Sequence, residues 1–184
     1  MNWTLIVIVA IIVLLLIWVA SSYNALVQLR NAVKDQWSQI DVHLKRRADL
    51  IPNVVETVKG YASHEKETLD AVISARNKAV NAGTKEEEMK ANGELTNALG
   101  RLFAVAEAYP DLKANTNFTE LQNTLKETED KIAFARQFYN DSVLKYKNKL
   151  EMFPTNVIAN IFGFKPEPFF EANEAEKEVP KVQF

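Results

Sequence analysis

Residues 3–20 read WTLIVIVAIIVLLLIWVA, and the first charged side chain of the chain is that of Arg30. A helix rises 1.5 Å per residue, so about 20 apolar residues cross the hydrocarbon core of a bilayer. Trp3, Trp18 and Tyr23 lie near the two ends of this run, where aromatic rings favour the membrane interface. Residues 1–22 are therefore predicted to form a retained, single-pass transmembrane anchor.

Three other interpretations fit this run less well. A cleaved signal peptide could use the small residues Ala20, Ser21 and Ser22, but it needs a basic start and a shorter apolar stretch. A lipoprotein signal needs a cysteine, and the chain has none. A buried core helix is also less favoured, because this run is apolar on every face.

The charges near the run predict its orientation. Nothing basic precedes it, whereas Arg30 and Lys34 follow it, and residues 45–47 (Lys-Arg-Arg) lie farther along. Basic residues favour the cytoplasmic side of a membrane. The C-terminal domain is therefore predicted to lie in the cytoplasm.

The composition of the 184-residue chain excludes several classes of protein. Its 22 basic and 24 acidic side chains leave a net charge of -2, whereas nucleic-acid-binding domains usually carry a basic excess. Without cysteine there is no disulfide framework, no thiol catalysis and no cysteine-bound zinc. The five glycines are too few for a fold rich in tight turns.

Apolar residues recur three and four apart after the anchor, which is typical of amphipathic helices. The first stripe comprises Leu26, Val33, Trp37, Ile40 and Leu44. Pro52 favours a new helix beginning near Pro52 or Asn53, with Asn53 and Glu56 at capping-box spacing. The apolar phase nevertheless continues through Val55, Val58, Ala62, Leu69 and Val72, so a kinked, continuous helix stays open as the alternative.

Three further boundaries follow from capping signals. The second helix is predicted to end near Ala82, with Gly83 in the left-handed cap position. Thr84 and Glu87 then begin a third helix, which stops at Tyr109 before a loop PDLKAN. Asn117 and Glu120 begin a fourth helix that runs to about Met152. The predicted core positions of the third and fourth helices are Met89, Leu95, Leu99, Leu102, Phe103, Ala106, Phe118, Leu121, Leu125, Ile132, Ala135, Phe138 and Tyr146.

These segments predict an all-α fold, with the anchor followed by an antiparallel bundle of about four long helices over residues 23–152. Residues 153–184 form a Pro/Phe-rich tail with one short helix at Thr155–Phe162 and a turn at Gly163. The tail either covers the bundle or contacts another subunit or the membrane surface. Its large rings are those of Phe153, Phe162, Phe164, Phe169, Phe170 and Phe184.

No catalytic, cofactor-binding or metal-binding residue is predicted. The run beginning at His64 resembles a zincin helix, but Thr68 stands where the second histidine is needed. Neither His43 nor His64 follows a glutamate by three residues, so the di-iron bundle motif is absent. Glu86-Glu87-Glu88 lies in a first helical turn, where negative charge favours the helix dipole. Lys45-Arg46-Arg47 is interpreted as a solvated or salt-bridged helix face, with anionic lipid as the alternative partner.

Several motifs resemble the LemA family of bacterial membrane-anchored proteins along nearly the whole chain. They are DLIPN at residues 49–53, YPDLKAN at residues 109–115 and GFKPEPFF at residues 163–170, with ARNKA, RQFYNDSVLKYK and EVPKVQF. The resemblance implies one N-terminal span and an all-helical bundle. It carries over no established activity and no catalytic residues. A two-component sensor kinase shares the family's name, but the chain has no kinase signature.

The predicted function is non-enzymatic. The chain is expected to sit in the bacterial cell membrane and to act through self-association or through binding of other envelope proteins. The alternative is a protein that organises or senses the lipid surface, and an enzyme with an unrecognised site is the third hypothesis. The bilayer is the expected partner, together with a second copy or an envelope protein, whereas nucleic acid, a cofactor and a small-molecule substrate are not.

Overall fold

The structure is a computed structural model that describes residues 2–171. All regular secondary structure in that range is helical, which confirms the predicted all-α class. The six helices are α1 (Trp3–Tyr61), α2 (Lys66–Val80), α3 (Lys85–Ala106), α4 (Pro110–Lys113), α5 (Thr116–Glu151) and α6 (Thr155–Ile161).

The described residues divide into two compact units. Unit 1 comprises residues 2–38 and 137–169, so it holds the first part of α1, the end of α5 and α6. Unit 2 comprises residues 39–136 and 170–171 and holds the rest of α1 and α5 together with α2, α3 and α4. The predicted domain boundaries at residues 22 and 152 stay predictions.

Helix α1 runs through Pro52, so the favoured prediction of a new helix at Pro52 or Asn53 is wrong and the continuous alternative is observed. Proline has no N–H to donate to the carbonyl four residues earlier, that of Ala48. The Nε of Arg76 on α2 donates to this oxygen at 2.8 Å. The freed carbonyl thus keeps a hydrogen bond, which a buried backbone group requires.

The chain leaves the helix instead at residues 62–65, a break that the sequence reasoning missed. Contacts from distant residues hold both sides of it. Asn115 Nδ2 donates to the hydroxyl oxygen of Tyr61 at 2.8 Å, and Tyr109 Oη donates to Glu65 Oε1 at 3.0 Å. The predicted stripe through Val58, Ala62 and Leu69 is buried nonetheless, although it is shared between α1 and α2.

Helix α2 ends at Val80, two residues before the predicted end, and Gly83 is not its left-handed cap. Among the described glycines only Gly163 has a positive φ, of 69°. Asn81 closes the helix instead, because its backbone N–H and its Nδ2 both donate to the carbonyl of Asn77, at 3.1 and 2.7 Å. The left-handed conformation is therefore unnecessary at this end.

The predicted cap of the third helix is confirmed. Thr84 is the N-cap of α3, and its Oγ1 accepts a hydrogen bond from the N–H of Glu87 at 3.2 Å. The carboxylate of Glu87 accepts one from the N–H of Gly83 at 3.0 Å. The helix ends at Ala106, three residues before the predicted stop at Tyr109.

Replacing this cap is expected to lower the stability of the chain. Thr84→Ala leaves one amide of the first turn without its acceptor, which costs about 1 kcal/mol. Thr116→Ala is the matched control, because Thr116 is exposed in the first turn of α5 but is not its N-cap. Urea unfolding of the full chain in detergent, followed by circular dichroism, measures the difference. Equal stability of the two variants would contradict the assignment.

The connection to the fourth long helix also differs from the prediction. Residues 110–113 of the expected loop form the short helix α4. Asn115, not Asn117, begins α5, because its Oδ1 accepts a hydrogen bond from the N–H of Phe118 at 2.9 Å. The helix ends at Glu151, one residue before the predicted Met152.

The core of unit 2 is built from the predicted stripes. Helices α1, α2, α3, α4 and the first part of α5 contribute its buried side chains, which are Ile51, Val54, Val55, Val58, Ala62, Leu69, Val72, Ala75, Leu95, Leu99, Leu102, Ala106, Leu112, Phe118 and Leu125. Phe103 and Leu121 are only partly buried against this cluster. Met89 is likewise partly exposed, so it is a boundary residue.

Unit 1 buries aromatic and branched residues of α1 and α5. Leu26 and Val33 on α1 and Tyr139, Val143 and Tyr146 on α5 are fully buried. The prediction of Phe138 as a core residue is wrong, because Phe138 is exposed and the stripe continues from Ala135 to Tyr139, four residues on. Tyr139 contacts Trp37 with ring centroids 5.3 Å apart.

The first part of the tail agrees with the prediction. The short helix is observed at Thr155–Ile161, and Gly163 turns the chain after it. Phe170 is buried, Phe164 and Phe169 are half-buried, and Phe153 and Phe162 are exposed. Phe184 lies outside the described residues. Thus some rings cover the helices and others face outward.

Candidate functional site

The described residues offer no ready site for a metal ion. Over residues 2–171, no three His, Asp or Glu side chains are placed to hold a metal ion. His64 is exposed in the break after α1, and His43 is half-buried on α1. The remaining candidate sites are buried polar contacts, grooves and exposed apolar surfaces.

Arg47 is the most deeply buried charged side chain of the described chain, at 1% exposure. Its Nη1 donates to Glu129 Oε1 on α5 at 2.8 Å and to Thr96 Oγ1 on α3 at 2.9 Å. Its Nη2 donates to Asn92 on α3, to the side-chain oxygen at 2.5 Å and to the carbonyl at 3.2 Å. One guanidinium on α1 thus joins three helices of unit 2.

This arrangement separates Arg47 from its two basic neighbours. Lys45 and Arg46 are exposed, as a solvated helix face requires, whereas Arg47 has the salt bridge that the other interpretation allowed. The sequence did contain the signal, because Arg47 lies three residues after Leu44 and four before Ile51, in the buried stripe. Its partners are a structural network, and they leave Arg47 unavailable to lipid headgroups.

A polar groove of about 290 Å³ lies between α1, α2 and α3 in unit 2. Asp41, Asp49 and Glu88 contribute its acidic side chains, and Lys45 and Arg76 its basic ones. Burial, together with the nearby carboxylate of Asp41, raises the pKa of Glu88. The mixed charges favour no single ligand.

The raised pKa of Glu88 predicts a pH dependence of stability. A carboxyl whose pKa is higher in the folded state stabilises the fold at low pH, and this contribution is lost as the pH rises through the folded pKa. Glu88→Gln is therefore expected to match the parent at about pH 3.5. At pH 7 it is expected to unfold at a higher urea concentration than the parent.

The control for this experiment is Glu86→Gln, which removes the same charge from an exposed position in the same turn. At pH 7, Glu86→Gln is not expected to unfold at a higher urea concentration than the parent. A gain of equal size in both variants would point to the net charge of the helix start and not to burial of Glu88.

An apolar groove of about 510 Å³ lies between α3 and α5 in unit 2. Leu99, Gly100 and Phe103 line it from α3, and Leu125 and Lys126 line it from α5. The position of Gly100 leaves open space, since an added Cβ there would contact nothing within 4 Å. Most of its exposed surface is apolar, although polar side chains of both helices also line it.

The first part of α1 is the largest apolar surface of the described chain. It is long and apolar enough to cross a membrane, and its most apolar stretch is not buried by any other residue that the structure describes. The side chains from Leu5 to Ile17 are exposed on all sides of the helix. A water-exposed surface of this size would be strongly unfavourable, so it requires another environment.

Unit 1 carries a second exposed apolar surface, close to the end of that stretch. The ring of Phe162 lies 4.9 Å from that of Tyr23 between centroids, and the ring of Phe164 lies 5.6 Å from it. The guanidinium of Arg30 lies 5.2 Å from the centroid of Phe164. The end of α6 is therefore held against α1 just after its apolar run.

Two aromatic side chains of α5 face outward. Phe134, in unit 2, is 65% exposed, and Phe138, in unit 1, is 60% exposed. Large exposed rings on a helical protein are unfavourable in water and are enriched where proteins contact each other. Each is a candidate contact residue.

Comparison with known proteins identifies relatives of the chain. Residues 36–184 match the model of the LemA family. Magnetosome protein MamQ 2 of Paramagnetospirillum magneticum is 28% identical, and the match covers 83% of this chain and 66% of that protein. Magnetosome protein MamQ of Magnetospirillum gryphiswaldense is 27% identical with the same coverage. Protein LemA of Metamycoplasma hominis is 26% identical, over 84% of this chain and 71% of that protein. The chain thus spans 66% of the length of the MamQ relatives.

Proposed function

The chain belongs to the LemA family, and on that premise we propose that it is a single-pass membrane protein that acts by binding and not by catalysis. The exposed apolar run of α1 carries this proposal, because only a bilayer or a tightly fitting partner removes so much apolar surface from water. Trp18 and Tyr23 lie near its end, as interfacial aromatics do.

The two helical units bind a protein partner at the membrane. The partner is a second copy of the chain or another membrane protein, and Phe134 and Phe138 are the contact residues that support this choice. Both terminal nitrogens of the Arg47 guanidinium are occupied by Thr96, Glu129 and Asn92. These hydrogen bonds stabilise the packing of the helices, and they supply no reactive group.

Site-specific photo-crosslinking in cells tests this proposal. A photoreactive phenylalanine analogue replaces Phe134 or Phe138 in the full-length chain, with the exposed Ile73 on α2 as the control position. We expect a discrete crosslinked species from the α5 positions and none from Ile73. Absence of any product from both α5 positions, together with a monomer in detergent, would contradict binding through these residues.

The side of the membrane is a separate part of the proposal. Arg30 and Lys34 favour the cytoplasm for the helical units. Because the chain has no cysteine, Asn31→Cys supplies the only thiol, at an exposed position. A membrane-impermeant maleimide is expected to label it only after the cells are permeabilised. Labelling in intact cells would reverse the orientation.

The second candidate function is organisation or sensing of the lipid surface. It is favoured by the exposed apolar side chains at the end of α6, which lie beside Tyr23. The basic cluster at residues 45–47 no longer supports it in full, because Arg47 is buried.

A further inference from the structure

Five large apolar side chains are exposed in the eleven residues that directly follow α5, a stretch that includes α6. We refer to them as the α6 surface, and their exposed fractions are 61% for Met152, 82% for Phe153, 46% for Val157, 70% for Ile161 and 51% for Phe162. Large apolar side chains exposed together along one short segment favour an interface with a protein or a membrane.

Helix α6 has two different faces. Thr155, Ile158 and Ala159 are buried, whereas Val157 and Ile161, four residues apart, are exposed. One face therefore fastens the helix to the protein while the other presents apolar groups outward. A short helix of this kind resembles the interfacial helices that lie in the plane of a membrane.

The position of the α6 surface relative to the apolar run identifies what covers it. Phe162 contacts Tyr23 at 4.9 Å, and Tyr23 follows Ala20, the last residue of the run, by three positions. Three residues of helix rise by about 4.5 Å. A bilayer that accommodates the run therefore reaches the level of Phe162, where headgroups and acyl chains meet.

We propose that the α6 surface inserts into the bilayer interface beside the transmembrane helix and forms a second membrane contact. The inference rests on the proposed function, since it requires residues 3–20 to cross a bilayer. Lys149 and Lys165 flank the surface in sequence, and long basic side chains can extend toward lipid phosphates while their stems stay on apolar groups. A lipid surface satisfies both the apolar groups and these charges.

The absence of cysteine allows a direct test in the full-length chain. Single-cysteine variants at Ile161 and Val157 carry an environment-sensitive fluorophore, with one protein molecule in each lipid nanodisc of phosphatidylcholine and phosphatidylglycerol. A small share of the lipid carries a nitroxide quencher near the headgroup. Leu16→Cys, within the run, is the positive control, and Ile73→Cys, an exposed apolar position on α2, is the negative control.

We expect the probes at Ile161 and Val157 to lose about half of their fluorescence or more, because interfacial helices lie about 5–10 Å into the boundary where the quencher sits. The probe at Ile73 is expected to stay within the error of the quencher-free sample. Iodide in the water is expected to quench Ile73 more than Ile161.

Three results would overturn the inference in distinguishable ways. Quenching at Leu16 but not at Ile161 would leave the anchor in place and remove the α6 surface from the lipid. Protection of Ile161 from both the lipid quencher and iodide would mean that protein covers it. Absence of quenching at Leu16 would reject the transmembrane assignment as well.

Discussion

Replacing Arg47 with alanine is expected to lower the free energy of unfolding by about 3 kcal/mol, because breaking a buried ion pair typically costs 3–5 kcal/mol. The lower end applies because the Glu129 side chain is 34% exposed, so water can hydrate its carboxylate after the change. The side-chain oxygen of Asn92 loses its Arg47 donor in a buried place, whereas its carbonyl keeps the hydroxyl of Thr96 as a donor. The measurement is urea unfolding of the full chain in detergent, followed by circular dichroism.

The neighbouring Arg46→Ala is the matched control, because it removes the same charge from an exposed position of the same helix. Its effect is expected to stay within about 0.5 kcal/mol. Arg47→Met separates packing from polar contacts, because methionine retains much of the apolar stem. A loss that persists in this variant reports the hydrogen bonds. Equal stability of the Arg46 and Arg47 variants would refute the role of the network.

Replacing Pro52 with alanine is expected to raise the free energy of unfolding by about 2 kcal/mol. Proline in a helix interior is about 3 kcal/mol less favourable than alanine, and the bond from Arg76 to Ala48 already offsets part of that cost. Pro52 is exposed, so the shorter side chain leaves no cavity. Urea unfolding in detergent measures this gain as well.

A double-mutant cycle shows whether Arg76 compensates for the proline. Arg76→Met alone is expected to cost about 1–3 kcal/mol, because it leaves the carbonyl of Ala48 without a donor. Combined with Pro52→Ala, the same change is expected to cost about 1 kcal/mol less, since the new backbone N–H bonds that carbonyl. Equal costs in the two backgrounds would show that Arg76 acts elsewhere.

The sequence predicted those features that depend on neighbouring residues. Most of the helical stripes, the Thr84 cap, the end of α5 and the turn at Gly163 follow from short-range spacing, and the structure confirms them apart from stripe positions such as Phe138. The apolar run of α1 is predictable for the same reason, because length and hydropathy alone distinguish it.

The features that the sequence reasoning missed depend on distant partners. Helix α1 continues through Pro52 with help from Arg76, 24 residues away. It ends at Tyr61, without proline or glycine in residues 62–65, where Tyr109 and Asn115 supply contacts from other elements. Spacing along the chain contains no record of such contacts.

The candidate surfaces were predictable only in part. The tail aromatics were recognised as a group, but one-dimensional patterning could not separate the buried Phe170 from the exposed Phe153 and Phe162. The prediction grouped Arg47 with its basic neighbours. Its spacing of three residues from Leu44 and four from Ile51 instead places it in the core stripe. For Arg47, helical phase was the better guide than charge clustering.

Because α1 continues from the apolar run into unit 1 without a break, the length of the run sets how far the α6 surface lies from the middle of the bilayer. Helix α1 is continuous from Trp3 past Tyr23. Each residue added to the run would therefore move the α6 surface by about 1.5 Å away from the start of the helix. A thicker bilayer would draw that surface deeper, and a thinner one would expose it or tilt the helix. The thickness of the membrane would then determine how much of the α6 surface is exposed to water.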